Sequence, residues 1–526
     1  MVMRIASCGV LLVVAGLLAA PTAASAQSGV LRVGLSSVPA EVDPATALDG
    51  PVALIARQVF DTLVQYVGTG SDVEPALAAQ WSVSKDGLAW SFRLREGVSF
   101  SDGTPRVAQA VVDSIERATL PGHPQAPAGD AGVARLFRGT PGVIRAVRAR
   151  DARTVEFTLS QPYAPLLTVL AHPALSVVMA SAAGAGGGNR WQGTGPFSVA
   201  EMAAGRIVLE ARPGHWSRGP RLARIVFTEV ADGAPAEAAL AGQGLDVVFP
   251  TGPPSRAAAS LSLPSWRIGY LALEVEKAPL NRVKARRAIA AALDPAQLAP
   301  ALGQVAVPLQ SFLPRGVWGR REGPPLMGGD AERGKRLLAE AGLAPGVPVT
   351  LLLDDAETRI DRPRLAEAIR ASLAAIGMSV TIRTEPAEQF RSLVQNGEHQ
   401  MALAEARVDA GDPHFLLYPL SSSEGAVKGP SAVNLSFYRN SRLDDLLIRA
   451  SQLFFRPERE RLYARAQATL AEELPWIPLY VRLHWAMARP EVRDLRLHPS
   501  GSPRLDRVWV EGQPAARLSG AGVAAR

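Results

Sequence analysis

Cysteine is nearly absent from this chain of 526 residues, in which Cys8 is the only one. Cys8 precedes the apolar stretch Val10–Ala20, whereas the cysteine of a lipoprotein cleavage motif follows such a stretch. We therefore expect Cys8 to be removed with an N-terminal export signal. The mature chain would then contain neither disulfides nor thiolate metal sites, and its stability must come from a buried core.

Long hydrophobic runs are also missing. Val10–Ala20 is shorter than the ~20 residues that a membrane-spanning helix needs. Ala24-Ser25-Ala26 follows it, and small residues in this pattern suit a signal peptidase. The sequence predicts a cleaved signal peptide at residues 1–26 and a periplasmic mature protein. An uncleaved N-terminal anchor is the alternative.

Clustered positive charge is absent as well. The formal net charge of +7 comes mainly from arginines that are scattered among acidic residues. The densest basic run, Arg282–Arg287, contains no aromatic residue and lies on a predicted helix, which favours a solvated helix face. No nucleic-acid partner is predicted.

Signals for a metal site or an enzyme are lacking too. No two histidines lie three or four residues apart, so no site for a bare metal ion is predicted; they are His123, His172, His215, His399, His414, His484 and His498. G-x-S-x-G, P-loop and dinucleotide-binding motifs do not occur. We predict no catalytic residue and no cofactor, and a hydrolase that uses scattered carboxylates is the remaining enzyme alternative.

The first half of the chain has the pattern of β-structure with covering helices. Large apolar residues alternate from Leu88 to Leu94 after the Asp86-Gly87 turn, which predicts a β-hairpin that begins near Trp81. A second alternating strand is predicted at Thr154–Leu159.

The second half has the rhythm of alternating strands and helices. Between Val347 and Val408 the pattern reads strand, helix, strand, helix, strand, and Gly377 is predicted to stop the first helix. This alternation predicts a mainly parallel sheet, in which ligands bind beyond the carboxyl ends of the strands. The segment after Met401 is therefore where a site is expected.

Several blocks together resemble one known family. The most specific runs from Glu74 through Trp81 to Pro105 and is similar to a "PALA-x-x-W" entry, a hairpin and an "LR-x-GV-x-F-x-DGTP" exit. Further similar blocks follow in the expected order: Gly193–Phe197, Leu280–Asp294, Ala331–Gly342 and Pro475–Tyr480. The chain resembles solute-binding family 5 of the ABC importers, which includes dipeptide-, oligopeptide- and nickel-binding periplasmic proteins. Ala110 departs from the pattern, since relatives usually have an acidic residue there.

The resemblance implies an α/β fold of two lobes, the type II periplasmic-binding-protein fold of the large class, with mixed and parallel sheets. It implies lobe I at 27–50, 160–270 and 484–526, an extra subdomain packed on lobe I at 51–159, and lobe II at 271–483. A hinge between the lobes is expected at Tyr270, Leu271, Tyr480 and Val481. The implied partners are a ligand and the permease of an ABC importer, and the chain is expected to be a monomer.

The resemblance also points to a site. Peptide-binding relatives have a strand that ends in "W-x-A-D-Y-x-x-P", whose aspartate pairs with the α-ammonium group of the ligand. Asp409 keeps the spacing to Pro413, but Ala406 stands at the tryptophan position and Ala410 at the tyrosine position. Asp409 is the main candidate. Arg407 is a second candidate, which would favour a carboxylate or phosphate on the ligand.

Alternatives remain for this segment. Period-two geometry places Glu405, Arg407 and Asp409 on one strand face, so they could instead form a network that orders the end of the sheet. His414 could contact a metal chelate or be a hydrogen-bonded loop residue. The sequence thus predicts capture of a peptide or related solute, with a metal chelate, an opine or a glycoside as alternative ligands. A periplasmic hydrolase and a ligand sensor are the alternative functions.

Overall fold

The computed structural model describes residues 29–513 except 106, 121–122, 127–142, 181–190, 218, 232–235, 243, 251, 253–259 and 357–358. The predicted signal peptide, residues 1–26 with Cys8, lies outside the described residues. Among the residues that are described, no helix is long and apolar enough to cross a membrane.

The described strands are, in chain order, β1 Val30–Leu35, β2 Val64–Tyr66, β3 Val73–Pro75, β4 Ala78–Val83, β5 Ala89–Leu94, β6 Ile144–Asp151, β7 Thr154–Leu159, β8 Val178–Ala180, β9 Trp191–Gly193, β10 Phe197–Ala203, β11 Arg206–Ala211, β12 Arg224–Glu229, β13 Val247–Phe249, β14 Ser260–Leu273, β15 Ala306–Pro308, β16 Val347–Asp354, β17 Met378–Glu385, β18 Met401–Arg407, β19 Trp476–Ala488, β20 Val492–Arg493 and β21 Trp509–Val510.

The described α-helices are α1 Gly50–Val59, α2 Val107–Thr119, α3 Leu166–Leu170, α4 Ala236–Gly242, α5 Val283–Ala292, α6 Pro295–Leu302, α7 Ala331–Glu340, α8 Arg362–Ala374, α9 Ala387–Gln395, α10 His414–Ser421, α11 Ser441–Gln452 and α12 Arg456–Glu473. Two short 3-10 helices span Pro44–Thr46 and Pro173–Leu175.

One large mixed sheet runs through the molecule, in the order β10-β11-β12-β1-β13-β19-β14-β18-β16-β17, with β15 paired to β19. The long strands β14 and β19 are antiparallel partners at its centre. β19 also pairs with β13 on one side, and β14 also pairs with β18 on the other. These two strands therefore join the early part of the chain to the late part.

The predicted strand–helix alternation of the second half is confirmed. β16, α8, β17, α9 and β18 follow one another, and β16 is parallel to both β17 and β18. Gly377, just after α8, has a φ of 89°, a left-handed conformation that glycine adopts without the cost of a Cβ. This arrangement brings the carboxyl ends of β16 and β18 to the same edge of the sheet.

The predicted hairpin of the first half is confirmed as well. β4 and β5 are antiparallel around the Asp86-Gly87 turn, and β5 pairs with β7 in a sheet of order β4-β5-β7-β6. Trp90, Phe92 and Phe157 are buried on this sheet. Alternating apolar residues thus cover one face of it, as the period-two pattern predicts.

The structure has two main hydrophobic cores, and the long strands β14 and β19 belong to the larger one. One core includes Leu31, Phe197 and Phe227 of the first sheet half, together with α1 residues such as Ile55. The other extends from the four-stranded sheet to the late strands and helices.

The predicted domain boundaries stay a prediction. The predicted hinge also stays a prediction. Tyr270 and Leu271 lie on β14, and Tyr480 and Val481 lie on β19. The pairing of these strands is irregular between Pro264 and Ile268, beside Val481.

Candidate functional site

A cavity of about 700 Å³ lies beyond the carboxyl ends of β16 and β18. All three residues singled out from the sequence, Arg407, Asp409 and His414, line this β18 cavity. Its volume falls in the range of ~300–1,000 Å³ that is typical of small-ligand sites. Its position matches the general rule for ligand sites of parallel α/β sheets.

Local backbone geometry explains how these three residues meet. β18 ends at Arg407, and the chain turns sharply at Gly411, whose φ is 68°. A Cβ at Gly411 would lie 2.7 Å from the ring of Trp266, so the turn packs too closely for a side chain. Asp412 then accepts a hydrogen bond from the backbone N–H of His414 at 3.0 Å and fixes the start of α10.

Charged side chains form one side of the cavity. The Arg407 guanidinium pairs with Asp409 and also with Asp49, to which Nη1 donates at 2.7 Å. Arg267 donates to the same Asp49 carboxylate at 2.8 Å. Burial raises the pKa of Asp409, and the charge of Arg407 offsets this only in part. Because Asp409 is buried, where the dielectric constant is low, its attraction to a positively charged group of a ligand would be stronger than in water.

Glu405 takes a different role on the same strand. Its Oε1 accepts hydrogen bonds from Tyr480 at 2.8 Å and from Arg482 Nε at 2.6 Å, and its Oε2 lies 3.6 Å from Arg267. Burial raises the pKa of Glu405, and the hydrogen bond from Tyr480 and the charge of Arg267 offset this only in part. Glu405, which also lines the cavity, thus ties β18 to β19 across β14.

Apolar side chains form the other side of the cavity. They come from α9, α10 and the segment after it, and include Phe390, Val394, Leu416, Pro419, Leu420, Ala432, Val433 and Leu435. Ala404 and Ala406, two residues apart on β18, also line it. The cavity is therefore amphipathic, with charge at the strand ends and an apolar surface between the helices.

His414 lies on this apolar side. Its ring stacks on Tyr418 with centroids 4.9 Å apart and meets the edge of Tyr163 at 5.4 Å. Burial lowers the pKa of His414 to about 4, so its imidazole is neutral at physiological pH. Its Nδ1 is buried and has no hydrogen-bond partner within the described part of the chain.

Asp49 and Tyr163 escaped the sequence-based prediction. Asp49 precedes α1 and Tyr163 precedes α3, so both are more than 240 residues from Arg407 and His414, which they contact. No local motif marks either of them, because their role depends on long-range strand pairing. Asp354 at the end of β16 and Arg362 at the start of α8, which form an ion pair on the cavity wall, were not predicted either.

Comparison with known proteins decides the family. The model of the family described as bacterial extracellular solute-binding proteins, family 5 Middle, matches residues 72–428. The chain belongs to this family.

Known family 5 proteins and related solved structures match most of the chain. Heme-binding protein A of Haemophilus influenzae is 29% identical and aligns over 91% of this chain and 92% of its own length. HbpA2 of Haemophilus parasuis has a TM-score of 0.83 at 25% identity, covering 92% of this chain and 100% of that one. The ABC transporter-associated periplasmic binding protein DppA of Helicobacter pylori, solved with the peptide STSA, has a TM-score of 0.71 at 26% identity, covering 92% and 98%.

The family resemblance and the two-lobed α/β fold expected from the sequence are thereby confirmed. Within the described ranges, no group of three or more His, Cys, Asp and Glu side chains is arranged to hold a metal ion. The chemistry of the β18 cavity is that of recognition by charge, hydrogen bonding and apolar contact.

Proposed function

We propose that this family 5 protein captures a short peptide in the β18 cavity and delivers it, as a periplasmic monomer, to the permease of an ABC importer. The observation that carries the proposal is the pairing of Arg407 with Asp409 at the wall of a cavity of about 700 Å³. A carboxylate and a guanidinium side by side match the two charged ends of a peptide. No covalent chemistry is required of any residue.

The carboxyl-terminal part of β18 supports the same proposal. Among the described strands, β18 pairs with β16 only at Met401 and Ala402, so residues 403–407 have no paired strand on that side. An extended peptide can add to such an edge through main-chain hydrogen bonds. The relative from Helicobacter pylori, which was solved with a peptide, agrees with this ligand class.

Closure between the lobes is the proposed signal to the permease. Asp49 belongs to the predicted lobe I and Arg407 to lobe II, and they form an ion pair across the predicted cleft. A ligand that contacts both lobes favours the closed state by its differential affinity for that state.

Binding of peptides by the Asp409→Asn variant tests the proposal. The substitution removes the negative charge while keeping nearly the same shape, so we expect dipeptide affinity to fall by roughly tenfold or more, in line with the ~1.5–3 kcal/mol of a charge-assisted hydrogen bond. Isothermal titration with a dipeptide library measures the affinity. Asp445→Asn is the matched control, since Asp445 is an exposed carboxylate on α11, outside the cavity. Equal affinity of Asp409→Asn and wild type would contradict the assignment of the site.

A metal chelate is the second candidate ligand, favoured by one observation. His414 lines the cavity with a neutral imidazole, which is the metal-binding form of histidine. The relative from Haemophilus influenzae is named for heme. Titration with hemin, followed by its absorbance in wild type and His414→Phe, separates this candidate from the peptide.

A further inference from the structure

A second cavity, of about 420 Å³, lies outside the β18 cavity and shares no lining residue with it. Side chains from two distant stretches of the chain form it, residues 57–74, which include the hairpin of β2 and β3, and residues 494–507. Its lining includes four arginines, which are Arg57, Arg496, Arg504 and Arg507. We call it the arginine cavity.

Arg57 is the buried member of this group. It lies in the last turn of α1 and is 5% exposed. Its guanidinium carbon is 5.6 Å from the ring centre of Tyr66, which also lines the cavity. The only hydrogen bond of its side chain to a described residue runs from Nη1 to the carbonyl oxygen of Ala171 at 3.3 Å, and its Nε is buried without a described partner.

The charge of Arg57 lacks a matching carboxylate. The nearby carboxylates of Asp61 and Asp506 interact with Arg504 instead, at 3.6 and 3.4 Å. Burial and the neighbouring charge of Arg504 lower the pKa of Arg57 to about 10, so its guanidinium remains cationic at neutral pH. Because a buried charge is nearly always paired, Arg57 indicates that an anion belongs in this cavity.

The exposed members of the group add to this positive charge. Arg496 and Arg507 are exposed, and neither forms an ion pair or a side-chain hydrogen bond with another described residue. Two acidic lining residues already have partners: Glu74 accepts a hydrogen bond from Gln65 at 2.8 Å, and Asp494 accepts one from an indole N–H at 3.2 Å. The four arginines outnumber the three acidic lining residues, so the cavity keeps a positive charge.

We propose that the arginine cavity binds a phosphate group, either as the free ion or as part of a small organic molecule. A guanidinium donates two parallel hydrogen bonds to phosphate oxygens, and a phosphate has more acceptor oxygens and more charge than a carboxylate. Arg57 would donate from the buried side, and Arg496 and Arg507 from the exposed side. The volume of about 420 Å³ lies in the range of ~300–1,000 Å³ for small-molecule sites, so a small organic phosphate fits.

This site is independent of peptide capture, because the two cavities share no lining residue. A bound phosphate would join the hairpin of β2 and β3 to the segment 494–507, which follows β20. Neither stretch marks the site in the sequence, since its arginines come together only in the folded chain.

Isothermal titration with sodium phosphate and with glycerol 3-phosphate, at constant ionic strength, tests the proposal. We expect wild type to bind one phosphate group per chain. The double variant Arg496→Gln/Arg507→Gln changes exposed residues only, so it should fold, and its affinity is expected to fall at least about tenfold because two charge-assisted hydrogen bonds are lost. Arg57→Met removes the buried donor and should abolish binding. The matched control is Arg442→Gln/Arg461→Gln, which removes two exposed arginines of α11 and α12 outside the cavity and should keep the wild-type affinity.

The outcomes decide both the site and the source of the phosphate. Tighter binding of glycerol 3-phosphate supports an organic phosphate, and tighter binding of sodium phosphate supports the free ion. The proposal is refuted if wild type binds neither compound, if sodium acetate binds as tightly as phosphate, or if the control variant loses as much affinity as Arg496→Gln/Arg507→Gln. If Arg57→Met does not fold, the double variant decides alone, and wild-type affinity in that variant overturns the site.

Discussion

Charged residues near the end of β18 have two different roles: Glu405 stabilises the sheet, whereas Arg407 is a candidate for ligand binding. Glu405 and Arg407 are two residues apart on β18, yet Glu405 accepts hydrogen bonds from Tyr480 and Arg482, whereas Arg407 pairs with Asp49. The alternation of a strand alone places both on one face and does not distinguish these roles. The distinction depends on which strand lies next to each side chain.

The substitution Glu405→Gln is expected to lower the free energy of unfolding by about 3 kcal/mol, because it leaves the buried guanidinium of Arg482 beside a neutral amide. Urea denaturation measures the change. Glu340→Gln is the control, since the Glu340–Lys284 pair is exposed and should contribute less than about 1 kcal/mol. Similar losses in both variants would show that Glu405 is not a structural carboxylate.

How much of the site the sequence predicts depends on sequence separation. Arg407, Asp409 and His414 fall within eight residues, so one strand and one turn were enough to place them together. Asp49 reaches Arg407, and Tyr163 reaches His414, only through tertiary packing, and nothing in their local sequence indicates it.

Among the secondary-structure elements, the side-chain contact that joins β19 to β18 across β14 depends on one glycine of β14. Gly269 pairs with Glu405 on one side and with Tyr480 on the other. The Tyr480 ring lies directly over Gly269, where a Cβ would overlap it. The missing side chain therefore allows Tyr480 to reach across β14 and donate to Glu405.

Gly269→Ala is accordingly expected to displace the ring and lower the free energy of unfolding by about 1–3 kcal/mol. Gly70→Ala is the matched control, because a Cβ at Gly70 meets nothing within 4 Å and its φ is not in the left-handed region. Thermal and urea denaturation compare the two. A Gly269→Ala protein as stable as the control would contradict the role assigned to this glycine.

Strands, helices and turns that have a local sequence pattern were predictable. The order in which the strands lie side by side in the sheet was not. Asp86-Gly87 marks the hairpin, and the period change after Val347 marks the parallel unit. The order in which β13, β19 and β14 lie side by side joins segments more than 200 residues apart. Hydrophobic periodicity carries no information on such pairings.

For the whole molecule, the buried histidines predict a dependence of stability on pH. Burial lowers the pKa from 6.5 to about 4 for His399, His414 and His484, and to about 3 for His172 and His498. Their folded pKa values lie below the unfolded ones, so between these values the unfolded chain binds more protons. Stability is therefore complete above pH 6.5 and is lost as the pH falls towards 4.

At pH 5.5, each of these histidines is expected to lower the free energy of unfolding by about 1.4 kcal/mol relative to neutral pH. Together they are expected to lower it by several kcal/mol. Urea denaturation at pH 7.5, 6.5 and 5.5 checks the trend. A free energy of unfolding that stays constant over this range would contradict the neutral, buried state of these side chains.

The position of β19 in the large sheet has a consequence for the timing of folding. β19 lies between β13 and β14, so the two halves of the sheet cannot join until residues 476–488 have been synthesised. Such non-local pairing slows folding, because the loop-closure entropy is lost before the contacts form. A nascent chain would keep open sheet edges until late in synthesis. The topology thus delays the native state, which suits a protein that, as proposed, is threaded through a membrane before it folds.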